Sequence, residues 1–242
     1  MTSYVLVHGG HHGGWCWQKV ARRLRKEGHE VYTPTLTGLG ERRHLLSSKV
    51  DLEMHINDVV GVLTFEDLRE VILVGHSYGG MVITGAADRA ADRIKELVYL
   101  DAAHPRNGES LADVAVQIMA ICRDWVREVE GVELVTWPDT LKPEFFGVTD
   151  PVDVAWMRAR LQQHPWKCYT QKLLLENEAA VRRLPRTDIN CTARLKEFDE
   201  RRKAELREAN RTWDIDTGHD IMVTEPEKLT QMLLRLADDG VH

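Results

Sequence analysis

Apolar residues in the first hundred positions fall into short unbroken runs separated by longer amphipathic stretches. The runs are Tyr4-Val5-Leu6-Val7, His29 to Thr33, Val71-Ile72-Leu73-Val74 and Leu97-Val98-Tyr99-Leu100. Helical spacing covers Trp17 to Lys26, closed by Gly28, then Leu52 to Leu63 and Met81 to about Ala91; Pro34 to Gly40 reads as a turn. Strands alternating with helices predict a parallel sheet with helices on both faces, and continuous apolar strands are what double coverage demands. The pattern changes after Ala103. From Pro105 to Pro185 there are helical stretches and prolines but no strand series, so this segment reads as a helical cap inserted after the strand ending near Leu100. The strand pattern resumes at Thr187 to Thr192, followed by a charged helix from Lys196 to Ala209 and a short strand at Trp213-Asp214-Ile215. A last helix spans Glu225 to Leu236, with Pro226 in its first turn. The reading is a doubly wound, mostly parallel sheet of about six strands, with residues 1–104 and 186–242 as core and 105–185 as cap.

Composition narrows the function classes. An apolar fraction of 43% supplies a core, and a formal net charge of -6 argues against a nucleic-acid surface or a polybasic membrane patch. No apolar run has the length of a membrane span, and strand one begins too early to leave room for a signal peptide. Cys16, Cys122, Cys168 and Cys191 are scattered, with no C-x-x-C pair, so neither zinc nor a disulfide framework is indicated. The expectation is a cytoplasmic protein that needs no metal or cofactor, acts on a small molecule and allows a homodimer.

The chemistry concentrates at Gly75-His76-Ser77-Tyr78-Gly79-Gly80. This G-x-S-x-G run sits between an apolar strand and a small-residue helix, the context of a nucleophile elbow. Gly75 and Gly79 permit the close strand–helix approach, and the helix N-terminus aims free N–H groups at a developing oxyanion. A serine nucleophile needs a base, an acid to orient the base, and an oxyanion site. His219 in Asp216-Thr217-Gly218-His219-Asp220 lies between the last strand and the last helix, where such a base belongs. The Gly-rich loop His8 to Trp15 follows strand one; the Gly10 and Tyr78 N–H groups are the expected oxyanion donors, and His8 is expected to be an internally bonded loop residue. His11 and His12 raise a metal reading, but the sequence places no third ligand. Trp125, Trp137, Trp156 and Trp166 in the cap, with His11, are candidates for an apolar substrate pocket; the same aromatics also suit an ordinary cap core.

Together, His8-Gly9, Gly13-x-Trp15-x-Trp17, Gly75 to Gly80 and Gly218-His219 resemble the α/β-hydrolase superfamily. Within it they are similar to the plant methyl esterases, hydroxynitrile lyases and bacterial pyrethroid-type carboxylesterases. The resemblance implies a triad acid near Arg194, where this chain has none. A second location in the superfamily is the end of the strand before the cap, as in haloalkane dehalogenases and some cofactor-free dioxygenases, and here it holds Asp101. Asp101 is therefore the expected acid, with Asp199 and Asp188 as alternatives. The resemblance implies a serine hydrolase cleaving a carboxylic ester, or a thioester, of an apolar or aromatic molecule through an acyl-enzyme. A dioxygenase, a C–C hydrolase or lyase, and a non-enzymatic ligand receptor are the other readings on this fold. Asp220 stands where the resembling lyases carry a lysine, which speaks against lyase chemistry.

Overall fold

Six strands make the parallel sheet that the alternation predicts. The computed structural model describes residues 1–137, 142–197 and 200–238. Its first half runs β1 (Ser3–Val7), α1 (Gln18–Lys26), β2 (Glu30–Tyr32), α2 (Leu52–Phe65), β3 (Val71–His76), α3 (Gly79–Ala90) and β4 (Ile94–Leu100). The inserted segment carries α4 (Leu111–Val114), α5 (Val116–Asp124), β5 (Val126–Val129), β6 (Val132–Val135), α6 (Pro151–Arg158), β7 (His164–Pro165), α7 (Trp166–Thr170) and α8 (Glu178–Arg183). The chain then returns through β8 (Arg186–Cys191), α9 (Glu200–Glu208), β9 (Arg211–Ile215), α10 (Ile221–Thr224) and α11 (Pro226–Asp238).

The main sheet has the order β2-β1-β3-β4-β8-β9, and every neighbouring pair in it is parallel. Successive side chains along each strand enter two different cores, as the period of two requires. Val5, Val7, Leu73 and Leu97 face α2 and α3, while Tyr4, Leu6, Ile72, Val74 and Val98 face α1 and α11. Local signals fix the helix ends. The Asp51 side chain accepts from the Met54 N–H to start α2, and Gly28, at φ 84, ends the turn after α1.

The strand order reverses between β1 and β3, because β1 connects outward to β2 and β3 to β4. A crevice at the C-terminal ends of the strands is expected at such a reversal, and the candidate site lies there.

The cap differs from its pattern. Besides helices it contains a three-stranded antiparallel sheet, β5-β6-β7. Periodicity gave no sign of it, since β5 is a largely exposed edge containing Arg127 and Glu128, and β7 is a two-residue strand ending in Pro165. The charged helix also starts later than its pattern: residues Thr192–Glu197 form 3-10 turns, and α9 begins at Glu200.

Candidate active site

Sheet register alone sets two of the chemical residues side by side. His76 on β3 pairs with Leu100 on β4, so Ser77 and Asp101 are each the next residue beyond the paired strands. Both turn sharply there, Ser77 at φ 54 and Asp101 at φ 42. Left-handed backbone at a non-glycine residue costs about 1–3 kcal/mol and persists only when its surroundings hold it. Here they do: the Ser77 N–H donates to the Leu100 carbonyl at 3.2 Å, and the Ala103 N–H to the Ser77 carbonyl at 3.0 Å. The Asp101 N–H donates to the Ile189 carbonyl at 2.7 Å, tying the same turn to β8.

The glycines of the elbow are steric requirements. A Cβ on Gly75 would lie 2.6 Å from the Gly79 carbonyl oxygen, and one on Gly80 would lie 2.1 Å from that of Ala103. The backbone can make this turn only with no side chain at those positions.

His219 follows β9 in the loop before α10. Its Nδ1 is hydrogen-bonded to Asp101 Oδ2, and the same carboxylate oxygen accepts from the Cys191 thiol at 3.2 Å. His76 Nε2 donates to the His219 carbonyl at 3.0 Å. Burial pushes the His76 imidazole down to about 3, so it is neutral and serves as a fixed donor. The side chains of Asp101 and His219 are 2% and 12% exposed, so the pair is shielded but the ring retains an open edge.

The loop after β1 covers Ser77. A Cβ on Gly9 would meet Ser77 Cβ at 2.8 Å, and one on Gly10 would lie 1.9 Å from the Tyr169 hydroxyl. His8 is spent internally, with Nδ1 donating to the Gly9 carbonyl at 2.8 Å and Nε2 accepting from the Leu36 N–H at 3.1 Å. His11, at φ 67, donates from Nδ1 to the Gln162 carbonyl at 2.9 Å and accepts the Trp137 indole N–H at 3.3 Å. Burial drives both rings down to about 3. Tyr78 opens α3, and its hydroxyl bonds His55 Nδ1 at 3.0 Å.

The cap tryptophans divide. Trp137 reaches the loop after β1 through His11 and packs on Phe145 at 4.8 Å. Trp166 lies edge-on to Tyr169 at 6.2 Å, one ring away from Gly10. Trp156 packs on Trp15 at 5.1 Å under the guanidinium of Arg160, in the other core. Trp125 ends α5 and packs into the cap side of the first core, its carbonyl held by Thr136. Of the alternative acids, Asp188 is fully buried and faces His104 at 2.6 Å, with Arg186 at 3.3 Å and Arg202 at 3.6 Å, rather than His219. Asp199 lies outside the described residues.

Sequence reasoning passed over two features. In the sequence Asp220 stands out only as the absence of a lysine, yet it is completely buried and bonds His12 Nε2 at 2.8 Å. Phe146 gave no signal, but its carbonyl accepts the Asp220 N–H at 3.0 Å and its ring lies over His219 at 6.2 Å. Ligand atoms converge in two groups, His55–His164–Cys168 and His76–His219–Asp220. His55 is already engaged at both nitrogens, by Tyr78 and the Thr37 carbonyl, and His76 Nε2 by His219.

The family model described as "Alpha/beta hydrolase family" matches residues 4–231. The chain belongs to that family. Over 98% of its length and 100% of the relative's, this α/β-hydrolase is 38% identical to the carbendazim hydrolyzing esterase of Nocardioides sp. (strain SG-4G). Among solved structures it resembles an extracellular α/β-hydrolase from a Paenibacillus species, with TM-score 0.79 and 25% identity over 97% of this chain and 98% of that one. It also resembles the methylesterase MES16 from Arabidopsis, with TM-score 0.73 and 26% identity over 98% and 99% of the two chains. Of the subgroup that the motifs resemble, which joins plant methyl esterases, hydroxynitrile lyases and pyrethroid-type carboxylesterases, these relatives represent the esterase side.

Proposed function

We propose that this α/β-hydrolase cleaves a carboxylic ester of a small apolar or aromatic molecule through an acyl-enzyme on Ser77. The observation that carries the reading is the carboxylate of Asp101 on His219 Nδ1, one residue past the strand that pairs with the elbow strand. In this scheme His219 Nε2 takes the Ser77 proton as Oγ attacks the carbonyl. The Gly10 and Tyr78 N–H groups hold the oxyanion, each contributing about 2.7–4 kcal/mol to lowering the barrier. His219 then protonates the leaving alcohol, and water releases the acid by the same path in reverse. Every group required is a side chain or backbone amide of this chain. The esterase names of its relatives support the ester class, and the aromatic side chains linked to the loop after β1, with Tyr169 against Gly10, Trp137 on His11 and Trp166 on Tyr169, support a flat apolar substrate.

The test is covalent labelling. A fluorophosphonate probe is expected to modify Ser77, and Ser77→Ala to lose both the adduct and turnover of p-nitrophenyl and methyl esters, on the order of 10⁶-fold. A folded Ser77→Ala variant that keeps turnover would instead favour His219–Asp101 acting directly as a base, as a dioxygenase or lyase requires.

A further inference from the structure

We propose that His12 and Asp220 form a buried clamp that holds the oxyanion loop and the His219 loop in register, making both of them positioning residues. The proposal rests on the acyl-transfer reading above and extends it to residues that touch no substrate.

The geometry is specific. His12 Nδ1 lies 2.6 Å from the Gly10 carbonyl and Nε2 lies 2.8 Å from Asp220 Oδ2. Both partners are acceptors, so both ring nitrogens donate and the ring is an imidazolium. One face of the ring is stacked on Trp15 at 5.3 Å, and Phe146 meets it edge-on at 5.1 Å. His12 thus grips the residue whose N–H is assigned to the oxyanion hole. At the other end, Asp220 directly follows His219. Its N–H donates to Phe146, its carbonyl receives the Val223 N–H at 2.9 Å to open α10, and its carboxylate receives His12. Residues from opposite ends of the chain, 208 positions apart, are joined by one charge-assisted bond.

The electrostatics agree. Burial alone would lower the His12 pKa, but the Asp220 carboxylate overrides that and raises it; burial would raise Asp220, and His12 lowers it instead. The buried histidines that face the pair from neighbouring elements carry no competing charge. His8, His11 and His76 are held neutral by burial, His55 is likewise depressed, and burial together with Asp220 pushes the Cys16 thiol far up. His219 faces Asp220 from the same loop, with Asp101 on its far side. A histidine whose folded pKa is raised contributes fully below its unfolded value and is lost as pH rises through the folded one. The clamp therefore releases at alkaline pH.

Asp220→Asn preserves shape and removes the charge. The expected result is a fall of about 10²-fold in kcat from a small misplacement, with KM changed by less than about twofold. The alkaline limb of the kcat/KM profile should move down by at least about one pH unit, because the ring loses the carboxylate that holds its proton. A residue that only stabilised the fold would lower the folded fraction and leave the pH limb where it was. Breaking a buried pair can unfold a protein, so a second measurement uses the unsubstituted enzyme. In ¹⁵N-histidine spectra the His12 ring, identified by its contact with the Trp15 indole, should be doubly protonated at neutral pH. A His12 ring singly protonated at neutral pH, or an alkaline limb unmoved in folded Asp220→Asn, overturns the proposal. Failure of the acyl-transfer reading is seen separately, as absence of probe on Ser77, and leaves the protonation state of His12 unaffected.

Discussion

At the residue scale, the hydrogen bond from Asp101 does more than restrain a ring. In the proposed mechanism it places the proton of His219 on Nδ1, so that Nε2 is the nitrogen that takes the Ser77 proton. Asp101→Asn can satisfy the ring with its amide N–H only by reversing the tautomer. Turnover is expected to fall about 10⁴-fold, as when a triad acid becomes its amide, with the thermal midpoint little changed. Steady-state kinetics alongside a melting curve check this, and activity within tenfold of the parent would remove Asp101 from the assignment. The position of Asp101 could be read from the chain because it follows Val98-Tyr99-Leu100, and the end of a central strand is where ligand chemistry occurs in open α/β sheets. The partnership of His12 with Asp220 could not be read that way. Nothing local marks a contact between residues 208 positions apart, and a buried charge shows itself only when its partner is seen.

At the element scale, the loop before α10 and the cap turn before α6 meet backbone to backbone. A Cβ on Gly218 would lie 2.6 Å from the Gly147 Cα, and the Asp220 N–H bonds the Phe146 carbonyl across the same junction. Gly218→Ala is expected to push these segments apart, costing about 1–3 kcal/mol as overpacking does. Activity should suffer more than stability, since His219 is the next residue. Urea unfolding compared with ester turnover measures the two effects, and a variant that loses stability but keeps its kcat would show that the junction does not set the base. The elements around this junction differ in how much of them the sequence revealed. β1, β3 and residues 97–100 of β4 are unbroken apolar runs because both their faces are covered, so they stand out, whereas β8 and β9 interleave Arg186, Asp188, Asn190, Arg211 and Asp214 with their apolar residues. The cap sheet has one exposed edge strand and one strand of two residues, and neither carries a periodic signature. The junction of Gly147 with Gly218 is tertiary, and single glycines in two distant loops carry no mark of it.

At the scale of the whole molecule, the unusual quantity is buried histidine. His8, His11 and His76 are depressed to about 3 and His104 to about 4, while His55 and His164 are also lowered, in each case chiefly by burial. As pH falls through about 6.5, the unfolded chain takes up protons that these native rings refuse, so stability must fall with pH. His12 acts in the opposite sense, but it is one ring against six. The urea midpoint is therefore expected to drop steeply between about pH 6.5 and pH 4.5, before most carboxylates titrate. Unfolding near pH 5 should absorb about four protons or more, one for each of His8, His11, His76 and His104, measurable by calorimetry in buffers of different ionisation enthalpy. A flat midpoint over that range would mean that the rings are protonated in the native state. Among the described residues no helix is long and apolar enough to cross a membrane, and the four cysteines are buried with no disulfide among them. The fold is therefore held without covalent cross-links, and protonation is a direct means of undoing it.

The contact between Gly147 and Gly218 also constrains the order of events in turnover. Because the Phe146–Gly147 turn is bonded to the residue beside His219, lifting that part of the cap has either to break this bond or to draw the His219 loop with it. On the proposed mechanism, a loop drawn away would part His219 from Asp101, and entry by that route and proton transfer would exclude each other. The proposed chemistry would then be silent whenever that side stands open, so water arriving with the cap raised would find Ser77 without the base assigned to it.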